Sequence, residues 1–504
     1  MKNLFKAVFV ISVFSLLTRV AGFLFKIYLA QAIGAEGLGI YQIAFSVFGV
    51  LETFVASGLP LVVSKFTSTF NAKKDYKSKF SCTTAALIIG LITAICLCII
   101  VLVFKNLFGL LFTDKRCLNI LLTLLPAIVF SSVYATLRGY LWGHKKYFWV
   151  SVSEFFEQVV RIIVCVVIFG LLYSTFDGAV AASVSLTIAC ALSCLLVIVV
   201  FIFVGGRLGN PKKFFKPVLK STIPITGVRL ASSLLMPLIA IIIPLRLVSV
   251  GYTNQQALSQ YGIAMGMTFP LLFLPSTIVG SLAMALIPDI SSDIASNNTK
   301  SVVNKIEASM KFTVFVSSAI IPIYLGLGKY LGLFLFNNAT SGFYLSYACW
   351  IMIPITLNNI ASSVLNALGL EVKGFVNYLI GAIFLILAIV FLPKYVGILS
   401  LVWGMGLCMS VAGILNIRMI NKKLNIKLKI TKTIFIMLAI SLPCALLSNW
   451  TYGACKLVFP QVINLIVSGG LGGIMFVLLN IVFKQIELNS WFAKISKRKH
   501  LKKV

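Results

Sequence analysis

The chain has 504 residues, of which 60% are hydrophobic and only 11% are charged, and its mean hydropathy is +1.04. Such a composition leaves no room for a large soluble domain. The formal net charge of +31 falls on short gaps without interleaved aromatic residues or a nucleic-acid-binding motif. It therefore indicates attraction to anionic inner-leaflet lipids rather than to nucleic acid.

About fourteen apolar stretches follow one another along the chain, and each is long enough to cross a hydrocarbon core of ~30 Å. In chain order they cover residues 7–33, 37–59, 81–104, 117–143, 149–173, 178–204, 222–245, 257–287, 312–336, 343–370, 375–393, 396–417, 433–450 and 460–483. The sequence therefore predicts an all-α polytopic membrane protein.

Basic residues are concentrated in alternate gaps between these stretches. Most of the 43 lysine and arginine residues lie in the two termini and in the even-numbered gaps. The odd-numbered gaps and their borders hold Lys105, Lys115, Arg116, Arg246, Lys329, Lys394 and Lys456. By the positive-inside rule, we expect a plasma-membrane protein with both termini in the cytoplasm and residues 105–116 outside.

A weak internal repeat relates the fourth apolar stretch to the tenth. The passages compared are Pro126, Ser131, Ser132 and Gly139, and Pro354, Ser362, Ser363 and Gly369. The repeat predicts two pseudo-symmetric six-helix lobes with substrate bound between them, while chance similarity between apolar segments is the alternative. The predicted domains are an N-terminal lobe at 1–206, a C-terminal lobe at 221–420, an additional helix pair at 431–484 and a basic cytoplasmic tail at 485–504.

Ionisable residues inside the first apolar stretch need an explanation, since each costs ~3 kcal/mol on insertion scales. Arg19 lies near the middle of the stretch, and a helix places Lys26 on the same face with Gly22 between them. This cationic stripe predicts a phosphate or diphosphate site. The structural alternatives are a salt bridge from Arg19 to Glu52 and snorkelling of Lys26, and snorkelling explains Arg138 equally well.

The fifth stretch carries Glu154, Glu157 and Arg161 on one helical face. Glu157 and Arg161 are one turn apart, which predicts a direct ion pair between them. The functional alternative is a carboxylate that responds to protons or cations and takes part in coupling or gating. Arg229, in the seventh stretch, is predicted to face Arg19 across the cleft if the repeat is genuine.

The sequence carries no catalytic or metal-binding constellation. Its eleven cysteines lie mostly within apolar stretches, and it has only two histidines. No Cys-x-x-Cys pair, no nucleophile with a nearby base and no phosphate-binding glycine loop occurs. We therefore expect no enzyme activity, no cofactor and no metal.

A passage near the N-terminus resembles the beginning of a known family. It reads Thr18-Arg19-Val20-Ala21-Gly22-Phe23, then Gly34-Ala35-Glu36-Gly37-Leu38-Gly39-Ile40-Tyr41-Gln42, then Gly58-Leu59-Pro60 and Ser64-Lys65-Phe66. This pattern is similar to the stage V sporulation protein B family. That family belongs with polysaccharide exporters and lipid II flippases in the multidrug/oligosaccharidyl-lipid/polysaccharide exporter superfamily.

The resemblance implies a V-shaped alternating-access transporter that moves an undecaprenyl-linked, lipid II-like sugar precursor to the outer leaflet. In lipid II flippases a similar Ser-Arg-Val-Leu-Gly-Phe passage carries an essential arginine, which corresponds to Arg19. Those flippases continue with an Arg-Asp pair where this chain has Phe25-Lys26, so Lys26 is the candidate for the second charge. The implied partners are a lipid-linked oligosaccharide, membrane lipids and cell-wall synthases.

Two other functions stay open. A cation-coupled multidrug exporter would need acids within the membrane, and Glu52 is the only acid deep in the early stretches. A non-transporting scaffold for cell-wall synthases would make the buried charges dispensable. The source of energy, a coupling ion or the membrane potential, is likewise open.

Overall fold

The computed structural model of the chain describes residues 2–172, 178–296, 298–426, 428, 430–456 and 459–483. These residues form helices and short connections, and no strand occurs among them. Twelve helical runs in this part are long and apolar enough to cross a membrane, and the first, Val13–Ala72, covers two predicted stretches in its 60 residues. The predicted all-α polytopic membrane fold is confirmed. The predicted tail at 485–504 lies outside the described residues.

The chain divides into two compact units, Met1–Gly266 and Met267–Val504. The helices of the first unit are α1 (Lys2–Ala56), α2 (Leu59–Ala72), α3 (Tyr76–Val103), α4 (Lys105–Leu110), α5 (Arg116–Gly143), α6 (Tyr147–Leu172), α7 (Gly178–Phe203), α8 (Phe215–Ser233), α9 (Leu235–Ser249) and α10 (Asn254–Gly262). A π-helix, Ile263–Thr268, follows α10.

The helices of the second unit are α11 (Phe269–Leu272), α12 (Ser276–Ala295), α13 (Thr299–Phe336), α14 (Ala339–Ala348), α15 (Met352–Ala367), α16 (Glu371–Phe391), α17 (Pro393–Val396), α18 (Ser400–Leu424), α19 (Thr431–Cys455) and α20 (Gln461–Val482). Two 3-10 helices, Cys349–Ile351 and Gly397–Leu399, connect some of them. Every predicted apolar stretch lies on one or more of the helices of the two units, while the six-helix repeat stays a prediction.

α1 contains two spans that meet at Gly34. Gly34 has φ 68° and ψ −177°, a backbone conformation that is essentially restricted to glycine. The two arms fold back on each other, because the Arg161 guanidinium carbon lies 5.0 Å from the centre of the Phe25 ring and 5.7 Å from that of Phe45. In an unbroken helix these two phenylalanines would be about 30 Å apart. The first unit therefore begins with a helical hairpin.

The second arm of α1 packs closely against α10. A Cβ atom on Gly39 would collide with the carbonyl oxygen of Leu258, and one on Gly262 would collide with that of Ala35. Small residues let membrane helices approach until their backbones touch. Gly39 and Gly262 therefore fix the distance between these two helices of the first unit.

The second unit has a polar core made of amides. Asn416 is fully buried; it donates to Asn358 Oδ1 at 3.0 Å and to Ser362 Oγ at 3.3 Å, and it accepts from Asn377 Nδ2 at 2.8 Å. Each amide offers both donors and an acceptor, so the three asparagines satisfy one another. The network links α15, α16 and α18 without any charge.

Candidate functional site

The polar interior of the first unit is formed by side chains from α1, α5, α6 and α7. Among the ionisable residues within these helices are Lys26 and Glu52 on α1, and Glu157 and Arg161 on α6. All four are partly buried. Charges at such positions are costly in a membrane-spanning helix and usually serve a function.

Arg161 is held by aromatic side chains of α1. Its guanidinium donates a hydrogen bond to the Tyr41 hydroxyl, and the Phe25 and Phe45 rings lie 5.0 and 5.7 Å from the guanidinium carbon. Cation–π contacts of this kind stabilise a desolvated guanidinium by about 2 kcal/mol. Its Nε atom is buried and has no hydrogen-bond partner, so Arg161 keeps one donor for an incoming acceptor.

The predicted ion pair between Glu157 and Arg161 is wrong. Glu157 Oε2 accepts a hydrogen bond from Ser193 of α7 at 3.1 Å, whereas Arg161 turns towards Tyr41 on α1. None of the described ion pairs joins the two residues. One helical turn permits such a pair but does not impose it, and here groups on two other helices compete successfully for the side chains.

Arg138 and Glu154 form an ion pair between α5 and α6. Arg138 Nη1 is 3.2 Å from Glu154 Oε1, and the guanidinium carbon lies 4.9 Å from the centre of the Trp142 ring. Arg138 therefore has a charged partner on a neighbouring helix, and its snorkelling stays a prediction. Sequence reasoning missed the pair because the partners are 16 residues apart and on different helices. The Nε atom of Arg138 is also buried and without a partner.

Lys26 lies on the first arm of α1, beside α6. The side-chain amide carbon of Gln158 would be 3.8 Å from a Cβ atom on Gly22, so this amide lies beside the predicted Arg19–Lys26 stripe. Gln158 Nε2 is buried and has no hydrogen-bond partner. Lys26 is near enough to Arg161 for the two positive charges to repel each other.

The remaining predicted site residues occupy separate places in the first unit. Glu52 is partly buried on the second arm of α1, within reach of the charges of Glu157 and Arg138. Arg19 on α1 and Arg229 on α8 have exposed side chains. In the described part of the chain neither arginine forms an ion pair, so the alternative salt bridge from Arg19 to Glu52 does not occur there.

The polar interior of the first unit is suited to an anion rather than to a metal. It contains three buried nitrogens without hydrogen-bond partners, which are Arg138 Nε, Arg161 Nε and Gln158 Nε2. Buried donors without partners are costly, and a ligand with several acceptor oxygens would offset that cost. Across the described residues, no group of three or more His, Cys, Asp or Glu side chains could hold a metal ion.

A second polar cluster, which the sequence analysis missed, ties α1 to α5 and α10. Glu36 accepts from Arg116 at 2.5 Å and from Gln255 Nε2 at 2.8 Å, and Arg116 also pairs with Asp114 at 2.8 Å. One carboxylate therefore links three helices near the tight contact of α1 with α10. The partners of Glu36 are 80 and 219 residues away in the sequence, which explains why no local pattern points to them.

Lys79 and His144 join the beginning of α3 to the end of α5. Lys79 is only 4% exposed; its Nζ atom is 3.3 Å from His144 Nε2 and 4.8 Å from the ring centres of Tyr76 and Phe80. Burial, with the nearby charges of Lys79 and Lys146, lowers the pKa of His144 to about 4. The imidazole is therefore neutral at pH 7, and its Nε2 atom can accept a hydrogen bond from the Lys79 ammonium group.

The fold and the charged interior define a class of protein. Many spanning helices, with arginine, lysine and glutamate side chains within one unit, are typical of membrane proteins that carry polar or charged groups across the bilayer. The chain is a multi-pass membrane transporter or flippase.

The chain belongs to the polysaccharide biosynthesis protein family, which it matches over residues 4–294. It is 26% identical over 491 residues to stage V sporulation protein B of Bacillus subtilis (strain 168), with 94% of each chain covered. It is also 23% identical over 358 residues to the lipid II flippase MurJ of the same organism, covering 66% of this chain and 65% of that one. The second of these relatives is named as a flippase, and the two similarities confirm the predicted resemblance.

Solved structures share the fold. Lipid II flippase MurJ in an inward closed conformation gives a TM-score of 0.71 at 16% identity, over 94% of this chain and 98% of that chain. An inward-facing multidrug resistance MATE family transporter of the MOP superfamily gives 0.68 at 14% identity, over 81% of this chain and 95% of that chain. The architecture of the predicted superfamily is therefore confirmed.

Proposed function

We propose that the protein moves an undecaprenyl-linked precursor of peptidoglycan or another polysaccharide from the inner to the outer leaflet by alternating access. The observation that supports this best is the cluster of Lys26, Arg138 and Arg161 inside a membrane-spanning unit, with buried donor nitrogens that lack partners. In this proposal both termini are cytoplasmic, as the distribution of basic residues predicts.

A diphosphate is the ligand that suits these cations. Its oxygens lose water when the head group enters the membrane, and guanidinium and ammonium groups already held there offset that loss. Arg19 and Arg229, which are exposed, would meet the diphosphate first. Lys26 would then extend the positive charge along α1, while Glu52 offers an acceptor for sugar hydroxyl groups.

We assign Arg161 to the same substrate site. The lipid II flippases that the chain resembles carry an Arg-Asp pair where this chain has Phe25-Lys26. The Arg161 guanidinium lies over this position, 5.0 Å from the Phe25 ring centre, so α6 supplies the arginine charge that α1 lacks. Arg161 therefore acts with Lys26 on the diphosphate, in addition to its predicted role in gating.

We assign coupling or gating to the glutamates of the first unit. Glu154 holds Arg138, whereas Glu52 and Glu157 act on each other through their charges and form none of the described ion pairs. A proton or cation bound between them would relieve that repulsion. The same two carboxylates favour a second candidate function, cation-coupled export of an organic cation, because such a substrate needs an acid within the membrane.

Reconstitution into liposomes tests the proposal. Purified protein is offered fluorescent lipid II, an unrelated undecaprenyl-diphosphate sugar and, separately, a fluorescent organic cation. We expect at least one lipid to change leaflet and Arg161→Gln to prevent it. Uptake of the organic cation without lipid movement would establish the second candidate instead. Movement of none of the three by folded protein would contradict transport and favour a scaffold.

A further inference from the structure

A groove on the second unit joins two neighbouring cavities. One cavity, of about 520 Å³, has Lys329 of α13 and Asn449 of α19 in its lining. The other, of about 640 Å³, shares Leu325, Ser346 and Leu442 with it and is lined almost wholly by apolar side chains. Together they form one continuous groove, polar at one end and apolar at the other.

The polar end carries an unneutralised positive charge. Lys329 is the single charged residue in the lining of either cavity. It is exposed, and in the described part of the chain it forms no ion pair. Asn449 is exposed beside it. Gly326 packs against Ala445 and the Tyr330 ring stacks on Tyr452 at 3.9 Å, so α13 and α19 run in the same direction and bring both polar residues towards one membrane face.

The apolar end is long enough for an acyl chain. Along α19 the groove extends from Asn449 to Phe435, which corresponds to about 21 Å of helix. The acyl chains of one leaflet occupy about 15 Å, half of the hydrocarbon core. Trp350 and Trp403 form the opposite wall, and Trp403 is fixed there by donating a hydrogen bond from Nε1 to the Tyr347 hydroxyl at 2.9 Å.

We propose that this groove binds one molecule of an anionic phospholipid. Its phosphate lies at Lys329 and Asn449, and one acyl chain passes Leu442 towards Phe435. A basic residue between membrane helices, with no carboxylate to neutralise it, selects an anionic head group over a zwitterionic one. All the lining residues belong to the second unit, so the proposal does not rest on the substrate proposed for the first unit.

Native mass spectrometry of the delipidated full-length protein tests the head-group contact, with phosphatidylglycerol and phosphatidylcholine of identical acyl chains as probes. We expect the first phosphatidylglycerol to bind more tightly than the first phosphatidylcholine, and Lys329→Gln to weaken its binding by about fivefold. Lys394→Gln is the matched control, because Lys394 is also exposed and predicted to be external but does not line the groove. It should leave binding unchanged.

Two tryptophan variants test the acyl-chain path. Leu442→Trp fills the junction of the two cavities and should release both lipids, whereas Leu478→Trp, on an exposed position of α20, should release neither. A photoreactive phosphatidylglycerol should crosslink mainly within residues 321–330 and 435–449. Equal affinity for the two lipids, or crosslinks spread evenly over the helices, would overturn the proposal. Preferential displacement by undecaprenyl phosphate would overturn it too, and would assign the groove to a prenyl chain.

Discussion

The two units carry polar groups into their interiors in different chemical forms. In the first unit these groups include charges, among them Lys26, Glu157 and Arg161. In the second unit the described polar side chains that are fully buried are all neutral, Asn358 and Asn416 among them. Its partly buried charges include Lys305 and Asp293, which pair with each other near the start of α13 and the end of α12.

This difference separates two uses of polarity in a membrane protein. Asn358, Asn377 and Asn416 of the second unit hydrogen-bond to one another, and their network holds α15, α16 and α18 together. In the first unit Arg138 and Arg161 each keep a buried donor without a partner. Neutral groups that bond to one another stabilise the fold, whereas a charged group within the membrane that keeps an unpartnered donor marks a place where a ligand is expected.

The largest expected effect is loss of transport when a cation of the first unit is removed. Arg19→Ala should lower complementation of a flippase-deficient strain by about 100-fold, because a charge-assisted contact to phosphate is lost. Folding should be unaffected, since Arg19 forms no described ion pair. Arg19→Lys should keep partial activity. Arg418→Ala, which removes an exposed cation of the second unit, is the control and should leave complementation unchanged. Full complementation by Arg19→Ala would show that the charge of Arg19 is dispensable.

Moving the arginine from α6 to α1 tests whether the position of the charge in the first unit matters. Arg161→Gln should lower transport by a factor similar to that for Arg19→Ala, and adding Phe25→Arg should restore at least part of it, because the Phe25 side chain is next to the place where the Arg161 guanidinium lies now. Phe14→Arg in the Arg161→Gln background is the control, since Phe14 is on the same arm of α1 about three helical turns before Phe25 and packs against Phe148 and Phe155 instead. It should restore less. The liposome assay measures both. Equal recovery from the two arginines would mean that only net charge matters, not its position.

The amide network should matter for stability rather than for transport. Asn416→Leu removes the hydrogen-bond partner of Asn377 Nδ2 and that of Asn358 Oδ1 and should lower the free energy of unfolding by about 2 kcal/mol. Asn366→Leu, at an exposed position of the same unit, should change it by less than about 0.5 kcal/mol. Thermal unfolding in detergent measures both. An unchanged Tm for Asn416→Leu would show that the network is not a stabilising element.

Removing the Glu36 carboxylate should have a smaller effect on stability, because its ion pair with Arg116 is partly exposed and such pairs contribute about 1 kcal/mol or less. Glu36→Gln should loosen the contact of α1 with α10 and raise the labelling rate of a cysteine placed at the buried Leu258 by up to about fivefold. The background is cysteine-depleted protein. Glu371→Gln, which removes an acid of the second unit, is the control and should leave the rate unchanged. Identical labelling rates in all three proteins would show that Glu36 does not hold α1 against α10.

The smallest effect concerns pH. The pKa of His144, about 4 in the folded protein, is below its ordinary value of 6.5. Between these values the unfolded chain binds a proton that the folded chain does not, so this contribution to stability is complete above pH 6.5 and is lost as the pH falls towards 4. The loss of Tm from pH 7 to pH 5 should be smaller in His144→Gln than in the unmodified protein. His500→Gln, at the other histidine, should not reduce it.

The sequence by itself determined the fold class and the helices. Hydrophobic length is a property of consecutive residues, and in lipid an apolar stretch of this length must be helical because each backbone group needs a partner within the segment. The sequence also identified Arg19, Lys26 and Arg161 as charges within helices, since no partner has to be known to recognise a charge in an apolar stretch.

Only the tertiary structure decided which groups meet. Periodicity places Glu157 and Arg161 on one face of α6 but does not say which helices cover that face, so the pair predicted from spacing gives way to Ser193 and Tyr41. The partners of Glu36 depend likewise on how closely α1 approaches α10. The physical reason is that helix geometry follows from hydrogen bonds between near neighbours in the chain, whereas side-chain partners follow from the packing of helices that are distant in sequence.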